Sequence, residues 1–221
     1  MTGKRNVVLF DLDGTVLDTY GAILGSLRYS TEKVLGEALP DEVLIEKVGQ
    51  PLITQMKSFT PDPLQQEAIM HAYREHNEHG LNNKITPFPG IKEVLEQLRE
   101  QGYVTGVVTS KRRAVAEPSL VHFGMREGLA CLNGLEDSAA HKPKPDPLLQ
   151  AAKDIGVSPN QCMYVGDSPY DLQAAHAADM PCIGVTWGKF FSREVLEPEH
   201  PTIMVTEPRQ LIEAVNELSD Y

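Results

Sequence analysis

The chain has 221 residues, 41% hydrophobic and 23% charged, with 31 acidic against 20 basic side chains and a formal net charge of −11. That length holds one large domain or a core with a smaller insertion, and the composition is that of a soluble globular protein. The acidic excess excludes a general electrostatic footprint for nucleic acid or an anionic membrane, but not a small anion gripped by a metal and a few aimed donors.

From Met1 the chain carries a few basic residues and a short apolar run that Asp11 ends, well short of a secretory core or a membrane span. The run Val7-Val8-Leu9-Phe10 reads as a strand and leads into Asp11-Leu12-Asp13-Gly14-Thr15. Two acids at the mouth of a hydrophobic strand are costly to bury unless a cation or another strong partner holds them. Their spacing lets one carboxylate attack a phosphorus atom while the other moves a proton, with a hard cation screening both. Gly14 lets the backbone turn so that N–H groups face an anion, and Thr15 can cap the next segment. The same residues also suit a strand running into an ordinary Asp-Gly turn.

Residues 16–86 contain no convincing strand. Helical stripes run through Ile23, Leu27, Val34 and Leu35, and later through Leu64, Ala68, Ile69 and Tyr73. The span is too long for one strand–helix connection, so it is expected to be a helical cap inserted after the first strand. Asp18 suits a helix start or a hinge, and Thr86-Pro87-Phe88-Pro89-Gly90 reads as a stiff return to the core. Ile91, Val94, Leu95 and Leu98 then predict an amphipathic helix that Gly102 stops.

A second strand-like run, near 103–109, ends in Thr109-Ser110 and is followed by Lys111-Arg112-Arg113. These bases fit a solvated helix start, although Lys111 could also reach a substrate. An ambiguous run lies near 130–134, and His141-Lys142-Pro143-Lys144-Pro145-Asp146-Pro147 sets lysines in a proline-stiffened loop. A helix through Leu148, Leu149, Ala152 and Ile155 stops at Gly156. The run near 161–165 ends in Gly166-Asp167, with Asp171 four residues on. Further strands near 181–185 and 202–205 precede a last helix through Leu211, Ile212, Val215 and Leu218. Cys131, Cys162 and Cys182 have no metal-like spacing and read as small core residues of a cytoplasmic protein. Strands alternating with helices predict an α/β fold: a Rossmann-like three-layer core with a parallel sheet covered on both faces, plus the inserted cap. The implied division is 1–15 and 87–221 for the core and 16–86 for the cap.

Asp, then Thr/Ser, then Lys, then Asp, each at a strand end or in a loop, is a phosphate-and-metal constellation. With these residues the chain resembles the haloacid dehalogenase superfamily, specifically its phosphatases, whose first motif reads DxDGT. All four family motifs are matched in order, over essentially the whole chain. The cap placement matches the subfamily whose cap lies between the first and second motifs. The lysine that precedes a Pro-x-Pro step in the family selects Lys142, leaving Lys144 solvated.

Ligands of open α/β sheets bind beyond the carboxyl ends of the strands, where Asp11, Thr109 and Asp167 would meet. The resemblance implies Asp11 as nucleophile, forming an aspartyl-phosphate, and Asp13 as the acid and then base. It implies Mg²⁺ held by Asp11, the Asp13 main-chain carbonyl and Asp167. Asp171 acts through a second layer or water, or is simply a first-turn helix acid. Thr109, Ser110 and Gly14 would hold the phosphoryl oxygens, with Lys111 a further candidate, and Lys142 would offset their charge. Gly49-Gln50-Pro51-Leu52 resembles the cap loop that faces the site, where Gln50 could meet a small polar leaving group; a plain helix–helix turn fits equally.

The expected partner is a small phosphorylated metabolite, with no nucleic acid and no membrane, acted on by a monomer or homodimer. Phosphoglycolate- or pyrophosphate-type substrates stand first. A sugar or nucleotide phosphatase and a phosphomutase share the motifs. A receiver-like phospho-acceptor lacks the cap and the second acid, and a true dehalogenase lacks that second acid too.

Overall fold

Val7–Phe10 (β1) is buried at every position, the pattern of a strand covered on both faces. In the computed structural model, which describes residues 5–80 and 85–219, β1 lies inside a six-stranded parallel sheet. Its partners are Val104–Val108 (β4) and Cys162–Gly166 (β6), with Val7 opposite Val104 on one side and Cys162 on the other.

In chain order, β1 is followed by β2 (Leu17–Asp18), α1 (Tyr20–Leu35), α2 (Asp41–Ile45), α3 (Leu52–Phe59), α4 (Pro63–Gly80) and β3 (Thr86–Pro87). Next come α5 (Ile91–Glu100), β4, α6 (Arg113–His122), β5 (Cys131–Asn133), α7 (Asp146–Ile155), β6 and α8 (Pro169–Ala177). The chain closes with β7 (Cys182–Val185), α9 (Arg193–Leu196), β8 (Ile203–Val205) and α10 (Leu211–Ser219). The sheet order is β5-β4-β1-β6-β7-β8, so the polarity of the winding switches at β1.

Alternation along β1 builds the two faces. Val8 and Phe10 join α5, α6 and α10 in one cluster, while Val7 and Leu9 join α7 and α8 in the other. The stripe expected after residue 90 is α5, whose Ile91, Val94, Leu95 and Leu98 are all buried. Cys131, Cys162 and Cys182 are buried thiols within this core, and burial pushes Cys162 up to about 12. No helix of the described residues is long and apolar enough to cross a membrane.

Helices α1–α4 surround a third cluster, made by Ile23, Leu24, Leu27, Leu44, Val48, Met56, Ile69 and Tyr73. Phe190, from the loop after β7, completes it, with its ring 5.2 Å from that of Tyr20.

Two sequence expectations are corrected in this region. The span holds extended structure after all, because β2 pairs antiparallel with β3, Leu17 opposite Pro87; two residues per strand are too few to show alternation. The α4 stripe is also displaced. Leu64 is 77% exposed and Ala68 is exposed, whereas Gln66, Ile69, Ala72 and Tyr73 are buried. Leu64 stands in the first turn, where its N–H bonds the Asp62 carboxylate at 2.9 Å, so packing begins one turn later. Gln66 tolerates burial because its amide donates to the Thr60 carbonyl at 2.9 Å.

Candidate active site

Asp11 leaves the end of β1 with its N–H on the Val165 carbonyl of β6, 2.8 Å away, which fixes the carboxylate at the sheet's carboxyl edge. It is 3% exposed, and its Oδ1 accepts from Lys142 Nζ at 2.8 Å. Burial raises its pKa to about 7, with Lys142 pulling the other way. Asp13 lines the same cleft, and its Oδ1 accepts from Lys111 Nζ at 2.6 Å. Of the two readings of Lys111, the structure therefore favours reach into the site over a solvated helix start.

Lys142 is the electrostatic centre. Its Nζ donates to Asp11, to Asp171 Oδ1 at 2.6 Å and to the Tyr164 hydroxyl at 3.2 Å, with only 1% of the side chain exposed. Burial disfavours the ammonium, but the paired carboxylates outweigh it and hold the pKa well above the usual lysine value. Lys144 is exposed, as expected.

Asp171 stands in the first turn of α8, as the helix-acid reading has it, and it also meets Lys142. Its Oδ2 accepts from the N–H and hydroxyl of Ser168, capping α8, while Oδ1 faces Lys142.

Asp167 follows β6 and is 3% exposed. Burial first, then Asp171 and Asp11, hold its pKa well above the carboxylate range. Two glycines lie against it. Gly14 adopts φ +85°, and a Cβ there would overlap the Asp167 carboxylate; a Cβ on Gly188 would overlap the same carboxylate and the Gly14 carbonyl oxygen. The Thr15 hydroxyl donates to Asp167 Oδ1 at 3.3 Å.

Asp11, Asp167 and Asp171 offer carboxylate oxygens that lie within 4.8 Å of one another, all buried. Three buried acids against one lysine would carry uncompensated negative charge once ionised, and the donor set is all oxygen. A hard divalent cation such as Mg²⁺ fits that charge and that chemistry.

Thr109 follows β4, is 4% exposed, and accepts at Oγ1 from the Lys111 N–H at 3.2 Å. The neighbouring Ser110 donates from Oγ to the Gly49 carbonyl at 2.6 Å. Tyr170 reaches the same loop from the other side, its hydroxyl donating to the Glu46 carbonyl at 2.9 Å. The Gly49-Gln50 loop is thereby fastened onto the sheet edge, and Gln50 lines the cleft together with Asp11, Asp13, Thr109, Ser110 and Lys111.

Sequence reasoning passed over five residues at the site. Tyr164 looked like ordinary strand core, yet its hydroxyl donates to the Val108 carbonyl at 2.9 Å while receiving Lys142. Gly188 is a lone glycine with no motif around it. Tyr73, Arg74 and Asn77 of α4 line the cleft, and the charge of Arg74 inside the acidic span was the available signal.

Residues 8–185 match the family profile described as haloacid dehalogenase-like hydrolase. The chain is 38% identical over 214 residues to a Caldanaerobacter subterraneus subsp. tengcongensis protein provisionally named pyrophosphatase PpaX, covering 96% of this chain and 95% of the relative. It is 32% identical to a phosphoglycolate phosphatase of Xanthomonas campestris pv. campestris, covering 93% and 94% respectively. A solved hydrolase from Pseudomonas syringae shares the fold at 24% identity and a TM-score of 0.86, covering 96% of this chain and 99% of that one.

Proposed function

The chain belongs to the haloacid dehalogenase-like hydrolases, and from that premise we propose that it is a Mg²⁺-dependent phosphatase of compact phosphorylated metabolites working through an aspartyl-phosphate. The observation that carries the reading is the pair at the mouth of β1: Asp11 buried against Lys142, and Asp13 two residues on, facing the cleft. In this reading residues 1–15 and 87–221 are the catalytic core and 16–86 the cap.

Asp11 attacks phosphorus, and its new O–P bond replaces the bond to the leaving oxygen, which takes the proton of Asp13. Asp13 then accepts a proton from the water that attacks the phosphoryl-aspartate, releasing phosphate and freeing Asp11. Thr109, Ser110, the turn at Gly14 and Lys111 hold the phosphoryl oxygens, while Lys142 offsets the charge that phosphate adds beside Asp11. Asp11, the Asp13 carbonyl and Asp167 would hold Mg²⁺, with Asp171 behind them; when bound, the ion keeps these acids ionised and neutralises the transferred group.

A phosphoglycolate- or pyrophosphate-type substrate is favoured by the names of the relatives. The test is a screen of phosphorylated metabolites for released phosphate, with and without Mg²⁺, on wild type and Asp11→Asn. Wild type should be metal-dependent and, when quenched in acid with substrate, should yield a base-labile phosphoryl adduct. The variant should lose nearly all turnover and the adduct. Substantial turnover in Asp11→Asn would place the nucleophile elsewhere.

A further inference from the structure

Tyr73, Arg74 and Asn77 of α4 face the cleft that contains Asp11 and Asp13, and Gln55 of α3 lies beside them. Tyr73 and Asn77, four residues apart, are neighbours on the helix surface, and Arg74 beside Tyr73 lines the same cleft. Tyr73 is close enough to Asp13 for that carboxylate to add to the effect of burial in raising the phenol.

The charges of the cleft do not balance on this side. Lys111 is matched by Asp13, and Lys142 by Asp11 and Asp171. Arg74 is half-buried, and among the described residues it has no ion-pair partner, in a chain with 31 acids to 20 bases. A partly desolvated guanidinium with no carboxylate partner among the described residues is complementary to an anion from outside the protein.

Gln55 adds a second unmatched group. It is 7% exposed, its Nε2 donates to the Gln50 carbonyl at 2.9 Å, and its Oε1 has no partner. With the amide oriented by Gln50, the free oxygen asks for an O–H or N–H donor.

We infer that Arg74, with Asn77 and Gln55, forms a leaving-group subsite that selects phosphate compounds carrying a second anionic group, a carboxylate or a further phosphoryl. The guanidinium takes that anion, and Gln55 Oε1 accepts from a ligand hydroxyl or an ordered water. The inference rests on the phosphatase reading, because it assigns the other half of the same cleft. It also answers the acidity of residues 16–86, which hold ten acids against six bases: one inward base suits a compact substrate with a second anionic group, whereas the rest of the span repels larger polyanions.

A matched pair of substrates tests it on the full chain with Mg²⁺. Phosphoglycolate and 2-hydroxyethyl phosphate differ in a carboxylate against a neutral hydroxymethyl, and pyrophosphate supplies the phosphoryl alternative. Wild type should prefer one or both of the doubly anionic compounds. Arg74→Gln should lower the ratio of kcat/KM for the preferred anion over 2-hydroxyethyl phosphate by about 10- to 100-fold, the worth of one charge-assisted contact. Arg74→Lys should recover part of the ratio, and Arg74→Met gives the same readout should the Gln variant not fold. A ratio that shifts by less than about threefold in both neutral variants overturns the subsite while leaving the phosphatase reading intact. A wild type that releases phosphate from nothing overturns both.

Discussion

Gly188→Ala is the substitution by which the structure is most exposed to refutation, because nothing in the sequence marks that glycine. A Cβ at position 188 would stand 2.8 Å from Asp167 Cγ, closer still to Oδ2, and 2.5 Å from the Gly14 carbonyl oxygen, whereas ordinary contact begins at 3.4 Å. The carboxylate must retreat by roughly 1 Å, since the other obstacle is backbone. Thr15 binds Oδ1, and Asp171 and Asp11 stand near enough to raise the Asp167 pKa, so a shift toward either acid is opposed by like charge. Misplacing a positioned group by about 1 Å costs on the order of 10²-fold in rate, and disturbing the surroundings of a metal ligand costs about 10–100-fold in metal affinity.

Gly188→Ala should therefore reduce kcat about 10²-fold and raise the half-saturating Mg²⁺ concentration at least about tenfold, with overpacking costing about 1–3 kcal/mol of stability. Phosphate release across a Mg²⁺ titration measures the first two, and thermal unfolding by circular dichroism the third. Gly25→Ala is the control: a Cβ there meets nothing within 4 Å, and the site is mid-helix in α1, so stability should rise by up to about 1 kcal/mol with unchanged kinetics. A Gly188→Ala enzyme with wild-type kcat and Mg²⁺ dependence would refute the glycine walls around Asp167, and with them Asp167 as a metal ligand.

The buried charges carry two further expectations. Lys142→Met strands Asp11 and Asp171 without their ammonium, which costs about 3–5 kcal/mol and lowers Tm by on the order of 10 °C for a chain of this size, along with activity; a wild-type Tm would contradict the buried triad. Asp11 rises from 3.8 to about 7 and Asp167 rises as well, so the folded metal-free chain keeps protons that the unfolded chain has released, and its stability declines as pH climbs from 3.8 toward about 7. Mg²⁺ must displace those protons, so its Tm gain should be larger at about pH 7.5 than at about pH 5.5. An equal gain at both pH values would mean that these carboxylates do not hold the ion.

The sequence disclosed the parts of the site that recur as local patterns. An apolar run ending in Asp11 and Asp13, another ending in Thr109, and Gly166-Asp167 after a third are each readable within a few residues, and the parallel sheet brings them to one edge. Lys142 could be chosen over Lys144 only through a family pattern; the structure gives the physical difference, 2% against open exposure. The partners that escaped are those whose roles depend on long-range packing. Tyr164 alternates like any strand residue, and only the position of Val108 on a strand two places away gives its hydroxyl a purpose. Gly188 matters because Asp167 lies against it, and Arg74 because α4 turns that side toward the cleft rather than to solvent. The β2–β3 ribbon fails for a simpler reason: two residues carry no period.

The loop after β7 ties these long-range features together. Trp187 donates from Nε1 to the Thr15 carbonyl at 3.0 Å, Gly188 abuts Asp167, Lys189 pairs with Asp18 at 2.7 Å, and Phe190 fills the cluster of α1–α4. Four consecutive residues thus touch the turn after β1, the buried acid Asp167, the start of the helical insert and its core. Their energies are unequal. The Lys189–Asp18 pair has a 57% exposed lysine and is worth at most about 1 kcal/mol, less in salt. Phe190 is 4% exposed, and returning its ring to water costs about 1.5–3 kcal/mol. A motion that parted α1 and α4 from this loop would therefore be resisted mainly by apolar burial, and it would pull on the segment that fixes Asp167. In the proposed function, the helices that would read the leaving group and the acid that would hold the cation are joined through one loop, so closure over a substrate and the geometry of the metal site would be set together.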